Sequence, residues 1–235
     1  MYQNDLSTWD KLTTATTLAP SRAAVIRQTY LLLGVSVLSA MAGGYIGATS
    51  ETVVRFFTST IGWIAAIVLL NVIPMVAMAA RHNPALGVAA LVGDGFLAGL
   101  VISPLLYYAT LVAPALIIVA FMITGLVFLS ITGYVFMSGR VFNAPRGLMV
   151  GVFVAIMAAI VLNSFLHIGW LGVALSAGIG IMGCLSLVYS TSDVLNSPYA
   201  DSPIPGALAL FAGLFNVFVA VLNILLRLLG GGRRD

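Results

Sequence analysis

Seven long apolar blocks alternate with short polar stretches along the chain, after a polar beginning. Each block approaches the roughly 20 residues that a helix needs to cross about 30 Å of hydrocarbon. The pattern predicts an all-α integral membrane protein, with a seven-helix transmembrane bundle over residues 29–235 and a polar, flexible cytoplasmic tail over residues 1–28. The predicted spans lie at about residues 29–50, 59–80, 86–109, 112–137, 147–167, 169–190 and 206–229.

The turn between the fifth and sixth blocks contains hardly any polar sequence. Residues 166–170 (LHIGW) must make the whole turn. The sequence therefore predicts either two full spans here or a single bent or re-entrant pair of helices.

Composition supports the membrane assignment and excludes an ordinary soluble domain. Hydrophobic residues make up 61% of the chain and charged residues only 7%, whereas soluble domains have about 25% charged residues. The net charge is +3, but the Lys and Arg residues are scattered singly between the apolar blocks. They indicate membrane topology and not a nucleic-acid partner.

The positions of Lys and Arg predict a cytoplasmic N-terminus, because short cytoplasmic loops retain positive charge. Arg55 lies in the opposite set of loops. An odd number of spans then places the C-terminus outside, together with Arg227, Arg233 and Arg234. These three cations favour the cytoplasm, so the alternative is that one of the seven segments does not cross the membrane. The predicted inner set is Lys11, Arg22, Arg27, Arg81, Arg140 and Arg146.

Small residues recur at four-residue spacing within the blocks, a pattern that lets helix backbones approach closely in lipid. Three prolines, Pro74, Pro104 and Pro114, fall within or at the edge of spans and favour kinks there. The small-residue pairs are Gly43 with Gly47, Gly95 with Gly99, Gly147 with Gly151, and Ala174 with Gly178.

Two aspartates are candidate intramembrane carboxylates, for a gate or a cation site. Asp94 lies eight residues past Leu86, about 12 Å along the third span, and an ionisable side chain at such depth is a functional candidate. Asp193 lies near the end of the sixth span, on the same predicted side. The two carboxylates are hypothesised to face one inner cavity, where mutual repulsion would make the site sensitive to pH. A protonated Asp94 bonded to a neighbouring helix, and an Asp193 in contact with headgroup water, are the structural alternatives.

Four asparagines in the spans are expected to form polar contacts in the bundle core. Asn216 and Asn223 are seven residues apart and share a helix face, so this face is predicted to point inward and the last helix to be central. Asn71 and Asn163 are candidate partners, and interhelical hydrogen bonding is favoured over ligand binding.

No catalytic or metal motif is present. His82 and His167 fall at opposite predicted faces, the lone Cys184 lies within an apolar run, and the single glutamate, Glu51, lies in a loop. There is no nucleotide-binding loop and no nucleophile–base pair. We therefore expect neither an enzyme nor a bound cofactor or metal.

Several apolar motifs carry a resemblance to the Bax inhibitor-1 (TMBIM) family, in particular to its short bacterial inner-membrane branch. They are residues 25–33 (VIRQTYLLL), 95–106 (GFLAGLVISPLL), 133–136 (GYVF) and 210–225 (LFAGLFNVFVAVLNIL). The resemblance implies six helices around a central seventh. It also implies an inner-membrane protein that acts as a substrate or modulator of the FtsH protease.

Some members of this family are described as pH-sensitive calcium leak channels gated by two aspartates. In this sequence the corresponding positions are Ser190 and Gly213, and the family's glutamate of the third span falls on Ala98. Two hypotheses follow. The first is an FtsH modulator and substrate gripped by its N-terminal tail, and the alternative is a calcium, cation or proton leak that uses Asp94 and Asp193.

Overall fold

The computed structural model describes residues 3–143, 145–166, 169–196 and 202–229, with residues 3–21 described as backbone only. Every regular element in these ranges is a helix, so the all-α prediction is confirmed for them. The helices are α1 (Gln3–Thr49), α2 (Glu51–Thr58), α3 (Thr60–Ala79), α4 (Pro84–Val101), α5 (Ser103–Val112), α6 (Ala115–Ser138), α7 (Arg146–Leu166), α8 (Gly169–Asn196) and α9 (Ile204–Leu229).

Five helices in the described ranges are long and apolar enough to cross a bilayer, which makes the chain a multi-pass membrane protein. A sixth candidate is the pair α4–α5, bent by 47°. The predicted span at 147–167 falls on α7 (Arg146–Leu166), whose described stretch Met149–Asn163 is apolar. The five candidates are Arg22–Thr49 within α1, together with α3, α6, α8 and α9.

Helix α9 forms the centre of the packing. It contacts α1, α3, α4, α5, α6 and α8, and 39% of its apolar window is buried, against 17–28% for the other four candidate spans. Each of the three buried apolar clusters includes α9 side chains. These side chains are Leu210, Phe211 and Val217 in the first cluster, Ile204, Ala207 and Leu208 in the second, and Leu222 and Leu226 in the third.

Helices α1 and α4 pack backbone against backbone through predicted small residues. A Cβ atom at Gly43 would overlap the carbonyl of Phe96, and one at Gly95 would meet the carbonyl of Ser36. By contrast, a Cβ at Gly147 or Gly151 of α7 would meet nothing within 4 Å. The small residues of α1 and α4 therefore let these two helices pack closely. Gly147 and Gly151 of α7 have no such role among the described residues, and α7 packs mainly against α8.

Two of the three predicted proline kinks coincide with helix breaks. The third predicted span is divided at Ile102, two residues before Pro104, and Pro114 precedes the first residue of α6. Proline lacks the N–H that would continue the hydrogen-bond ladder, and its ring crowds the preceding turn. Pro74 is instead accommodated inside α3.

The N-terminal segment differs from the expected flexible tail. Helix α1 begins at Gln3 and continues without interruption into the first candidate span. Once a membrane helix is formed, each added residue extends it without a new nucleation cost, so even a polar segment can continue the helix. The division at residue 28 between a tail and a membrane domain stays a prediction.

Candidate functional site

Asp94 is a buried carboxyl group in α4, with a relative exposure of 6%. Leu91 and Ala98 lie on the same face of the helix, three residues before it and four after it. Leu91 belongs to the same buried apolar cluster as Ala207 and Leu208, and Ala98 to the same cluster as Leu210 and Phe211. Asp94 therefore faces the first half of α9, between two apolar clusters.

No hydrogen bond or ion pair to Asp94 is formed by the residues that the structure describes. An ionised carboxylate in a membrane span costs roughly 2.5–3.5 kcal/mol on insertion scales. A proton, a polar ligand or water would reduce that cost. Asp94 therefore stays a candidate functional residue, as the sequence predicted.

Asp193 has a different environment. It lies in the last turns of α8 and its side chain is exposed. Helices α4 and α8 do not form a packed pair in the described structure; both contact α1 and α9 instead. The structure thus places one carboxylate in the core and the other at a helix end, and a cavity shared by the two stays a prediction.

Only part of the predicted set of core asparagines is buried. Asn71 is exposed, and its Nδ2 donates to the carbonyl of Ile67 in its own helix, at 2.7 Å. Its placement in the bundle core was wrong, because a local backbone acceptor satisfies the amide without a neighbouring helix. Asn216 and Asn223 are half-buried on α9, and Asn223 donates to Val219 of the same helix at 3.0 Å.

Asn163 and Asn223, which were predicted as possible partners, line one cavity. The two amides are not joined by a hydrogen bond in the described structure. Asn163 Oδ1 is buried and accepts no hydrogen bond from a described residue. The hydrogen-bonded partnership of these two side chains therefore stays a prediction.

Sequence reasoning missed a cluster of hydroxyl groups between α1, α6 and α8. The Tyr30 hydroxyl lies against those of Thr132 and Thr191, and none of the three has a described partner in good hydrogen-bonding geometry. Buried polar groups usually have partners, so this cluster is a second unusual polar feature of the core. Hydroxyl residues are common in membrane helices, and their spacing on separate helices gives no signal of such a meeting.

The remaining candidate ligands do not converge. No group of three or more His, Cys, Asp or Glu side chains that could hold a metal ion occurs in the part of the chain that the structure describes. Arg81 Nε donates to His82 Nε2 at 3.1 Å, and Cys184 is a half-buried free thiol. His167, Arg233 and Arg234 lie outside the described residues.

Comparison with known proteins relates most of this fold to one family. The family model described as "Inhibitor of apoptosis-promoting Bax1" matches residues 22–231. This chain belongs to the Bax inhibitor-1 family. The resemblance inferred from the sequence motifs is therefore confirmed. The match begins at Arg22, where the first candidate span also begins.

Relatives within the Bax inhibitor-1 family match along nearly their whole length. An uncharacterized protein of Neisseria meningitidis is 34% identical over 216 residues, covering 89% of this chain and 93% of its own. One from Campylobacter jejuni is 30% identical over 203 residues, covering 85% and 87%. The modulator of FtsH protease YccA of Escherichia coli K12 is 26% identical over 202 residues, covering 86% and 89%, and its counterpart in strain O6:H1 is named an inner membrane protein.

The positions that the Bax inhibitor-1 resemblance assigns to acidic residues are buried and carry no carboxyl group here. Ser190 and Ala98 are 8% and 2% exposed. A Cβ at Gly213 would approach Leu187 Cγ to 3.0 Å and the carbonyl of Gly183 to 3.2 Å. An aspartate at position 213 would therefore need Leu187 and the backbone of Gly183 to shift by a few tenths of an ångström. Helices α8 and α9 thus pack closely at a position where the resemblance implies an acidic side chain.

Proposed function

We propose that this protein is an inner-membrane modulator and substrate of the membrane-bound FtsH protease, acting in membrane-protein quality control. Its similarity to a relative named for that activity supports the proposal. The observation that carries it is structural: α1 continues toward the N-terminus well beyond the region shared with the family. The proposal assigns no catalysis and no cofactor to the chain.

In this proposal the bundle has seven spans, with α4 and α5 together forming one bent span and α7 forming the fifth. Six of them surround α9, which is supported by the contacts of α9 with α1, α3, α4, α5, α6 and α8. The N-terminus is cytoplasmic, as the distribution of Lys and Arg favours, and the C-terminus is external.

The length of α1 requires part of it to leave the hydrocarbon. The helix has 47 residues, which corresponds to about 70 Å at 1.5 Å per residue, against about 30 Å of bilayer core. The candidate span begins at Arg22. Residues 3–21 therefore form a helical extension on the cytoplasmic side, within reach of a protease anchored in the same membrane.

This N-terminal extension, residues 3–21, is suited to being unfolded. It contains five threonines, and Pro20, just before the span, lacks the N–H that would donate to the preceding turn. Threonine and proline are poor helix formers, so little beyond its continuity with the span favours the helical state of this extension. An unfoldase that grips the end thus meets little resistance until it reaches the bundle, where strong packing would slow it and keep it occupied.

The test is the lifetime of the protein in cells with active FtsH. Deleting residues 2–20 should lengthen the half-life, because the grip is lost. A control chain in which a Gly/Ser linker of equal length replaces residues 2–20 should be degraded again, since the linker is a flexible coil. Both differences should disappear in cells that lack FtsH activity, and an unchanged half-life after the deletion would contradict the proposal.

Asp94 favours a second candidate function, a calcium or proton leak, because it is a buried carboxyl group without a described partner in a candidate span. Purified protein in liposomes separates the two functions, with a calcium dye reporting a calcium leak and a pH dye reporting a proton leak. A leak predicts a pH-dependent flux that Asp94→Asn abolishes. A pure modulator gives the flux of protein-free liposomes at every pH.

A further inference from the structure

Arg227 is an exposed cation that lies against the beginning of another helix. It lies in the last turn of α9, and it forms no ion pair with a described residue. Its guanidinium group lies directly on the backbone of Gly172, so that a Cβ there would overlap Nη1 and Cζ. Gly172 is in the first turn of α8, which begins at Gly169.

This contact brings two positive groups together. The first N–H groups of a helix have no intrahelical acceptor, and the helix dipole places partial positive charge there. The arginine side chain is always protonated and accepts no hydrogen bond. An anion bound beside the guanidinium, at the first turn of α8, would interact favourably with both groups. The alternative, in which Arg227 caps the carbonyls of its own helix, is not formed in the described structure.

Space for a ligand lies beside Arg227. A cavity of about 900 Å³ is lined by Arg227 and by the polar side chains of Asn163, Ser176 and Asn223. A second cavity of about 660 Å³ shares Arg227 and Asn223 and continues past Trp170. A few convergent polar groups on an otherwise apolar wall are typical of a binding site.

Aromatic residues place this end of the bundle at the depth of lipid headgroups. Trp63 near the start of α3, Tyr108 near the end of α5 and Trp170 at the start of α8 line the two cavities, and Trp170 is 72% exposed. Tryptophan and tyrosine are enriched at membrane–water interfaces. Away from Arg227, the wall of the larger cavity is apolar, with Leu70 and Ile179 among its residues.

We propose that this cavity binds a phosphate group through Arg227 and the first turn of α8, supplied by a phospholipid headgroup or by free phosphate. The planar guanidinium matches two phosphate oxygens, and the apolar wall would accept an acyl chain of the lipid source. This site does not depend on the interaction with FtsH, and it would stabilise the junction of α8 and α9.

The test measures thermal unfolding of the purified full chain in an uncharged detergent. The probes are dihexanoyl phosphatidylglycerol, dihexanoylglycerol without phosphate, and inorganic phosphate. The first should raise the melting temperature saturably and the second should not. A saturable shift with inorganic phosphate as well would support free phosphate as a source, and no saturable shift with either phosphate probe overturns the proposal.

Three variants locate the site. Arg227→Gln should weaken binding roughly 10- to 100-fold, since it removes charged hydrogen bonds. Gly172→Ala keeps the cation but displaces the guanidinium from α8, so it should also weaken binding. It provides the test if the Arg227→Gln protein does not fold. Arg55→Gln, which removes an exposed cation paired with Glu51, should leave binding unchanged. Wild-type affinity in both Arg227→Gln and Gly172→Ala would overturn the proposal.

Discussion

Gly99 of α4 faces the main-chain carbonyl of Ala40 in α1 with no room for a side chain between them, and the N atom of Gly44 would lie 2.6 Å from a Cβ at that position. Lipid tails are as apolar as the side chains that they replace, so helices in a bilayer associate largely through such close packing. The α1–α4 contact therefore provides stability that apolar burial alone would not.

Gly99→Ala should destabilise the protein by about 1–3 kcal/mol, because the added methyl group forces two backbones apart. Gly93→Ala is the matched control, since a Cβ at Gly93 of the same helix meets nothing within 4 Å. It should leave stability unchanged or raise it by up to about 1 kcal/mol, as alanine favours a helix. Thermal unfolding in detergent measures both variants, and equal effects would contradict the described packing.

Asp94→Asn should leave the unfolding temperature unchanged or raise it. The amide has nearly the same shape as the carboxyl group but no charge to desolvate. A residue that lowers stability where it stands is expected to be kept for activity. A clear loss of stability in Asp94→Asn would indicate that the carboxylate makes a stabilising contact.

Thr191→Val should stabilise the protein by up to about 1 kcal/mol, because a methyl group of similar volume replaces a buried hydroxyl that forms no hydrogen bond of good geometry. Thr124→Val is the comparison. The Thr124 hydroxyl is also buried but donates to the carbonyl of Ala120 at 2.7 Å, so its loss should cost about 0.5–1.5 kcal/mol. Chemical denaturation in mixed micelles measures the free energy of unfolding of both variants. A larger loss of stability in Thr191→Val than in Thr124→Val would show that the Thr191 hydroxyl forms a stabilising hydrogen bond.

The side of the C-terminus tests the number of spans. In a Cys184→Ala chain, Gly231→Cys should react with a membrane-impermeant maleimide in spheroplasts if seven segments cross. Ser7→Cys should react only after permeabilisation. Protection of both cysteines before permeabilisation would mean an even number of crossings, with α7 the first candidate for a segment that does not cross.

Helix positions were predictable where apolar length alone decides them. The span predicted at 59–80 is α3 (Thr60–Ala79), and the one at 206–229 is α9 (Ile204–Leu229). Proline chemistry likewise predicted the break before Pro104. Helix α2 was not predicted, because eight amphipathic residues with an exposed Glu51–Arg55 pair are read as a polar loop.

The candidate sites were predictable only in part, because sequence assigns a depth in the membrane but not a neighbour. Asp94 was identified by its charge within an apolar block. The exposure of Asn71 depends on which side of α3 meets α4 and α9, and the meeting of Tyr30 with Thr132 and Thr191 depends on how α1, α6 and α8 are arranged. Arg227 was interpreted as a topology signal, since its contact with Gly172 joins residues that are distant along the chain.

The most direct test of the proposed function is reconstitution with FtsH. Purified FtsH and a second membrane substrate are placed in liposomes, and degradation of that substrate is followed with and without this protein. The wild-type chain should slow the degradation by occupying the protease, and the chain lacking residues 2–20 should not. No slowing by the wild-type chain, or equal slowing by both chains, would contradict modulation through the N-terminal extension.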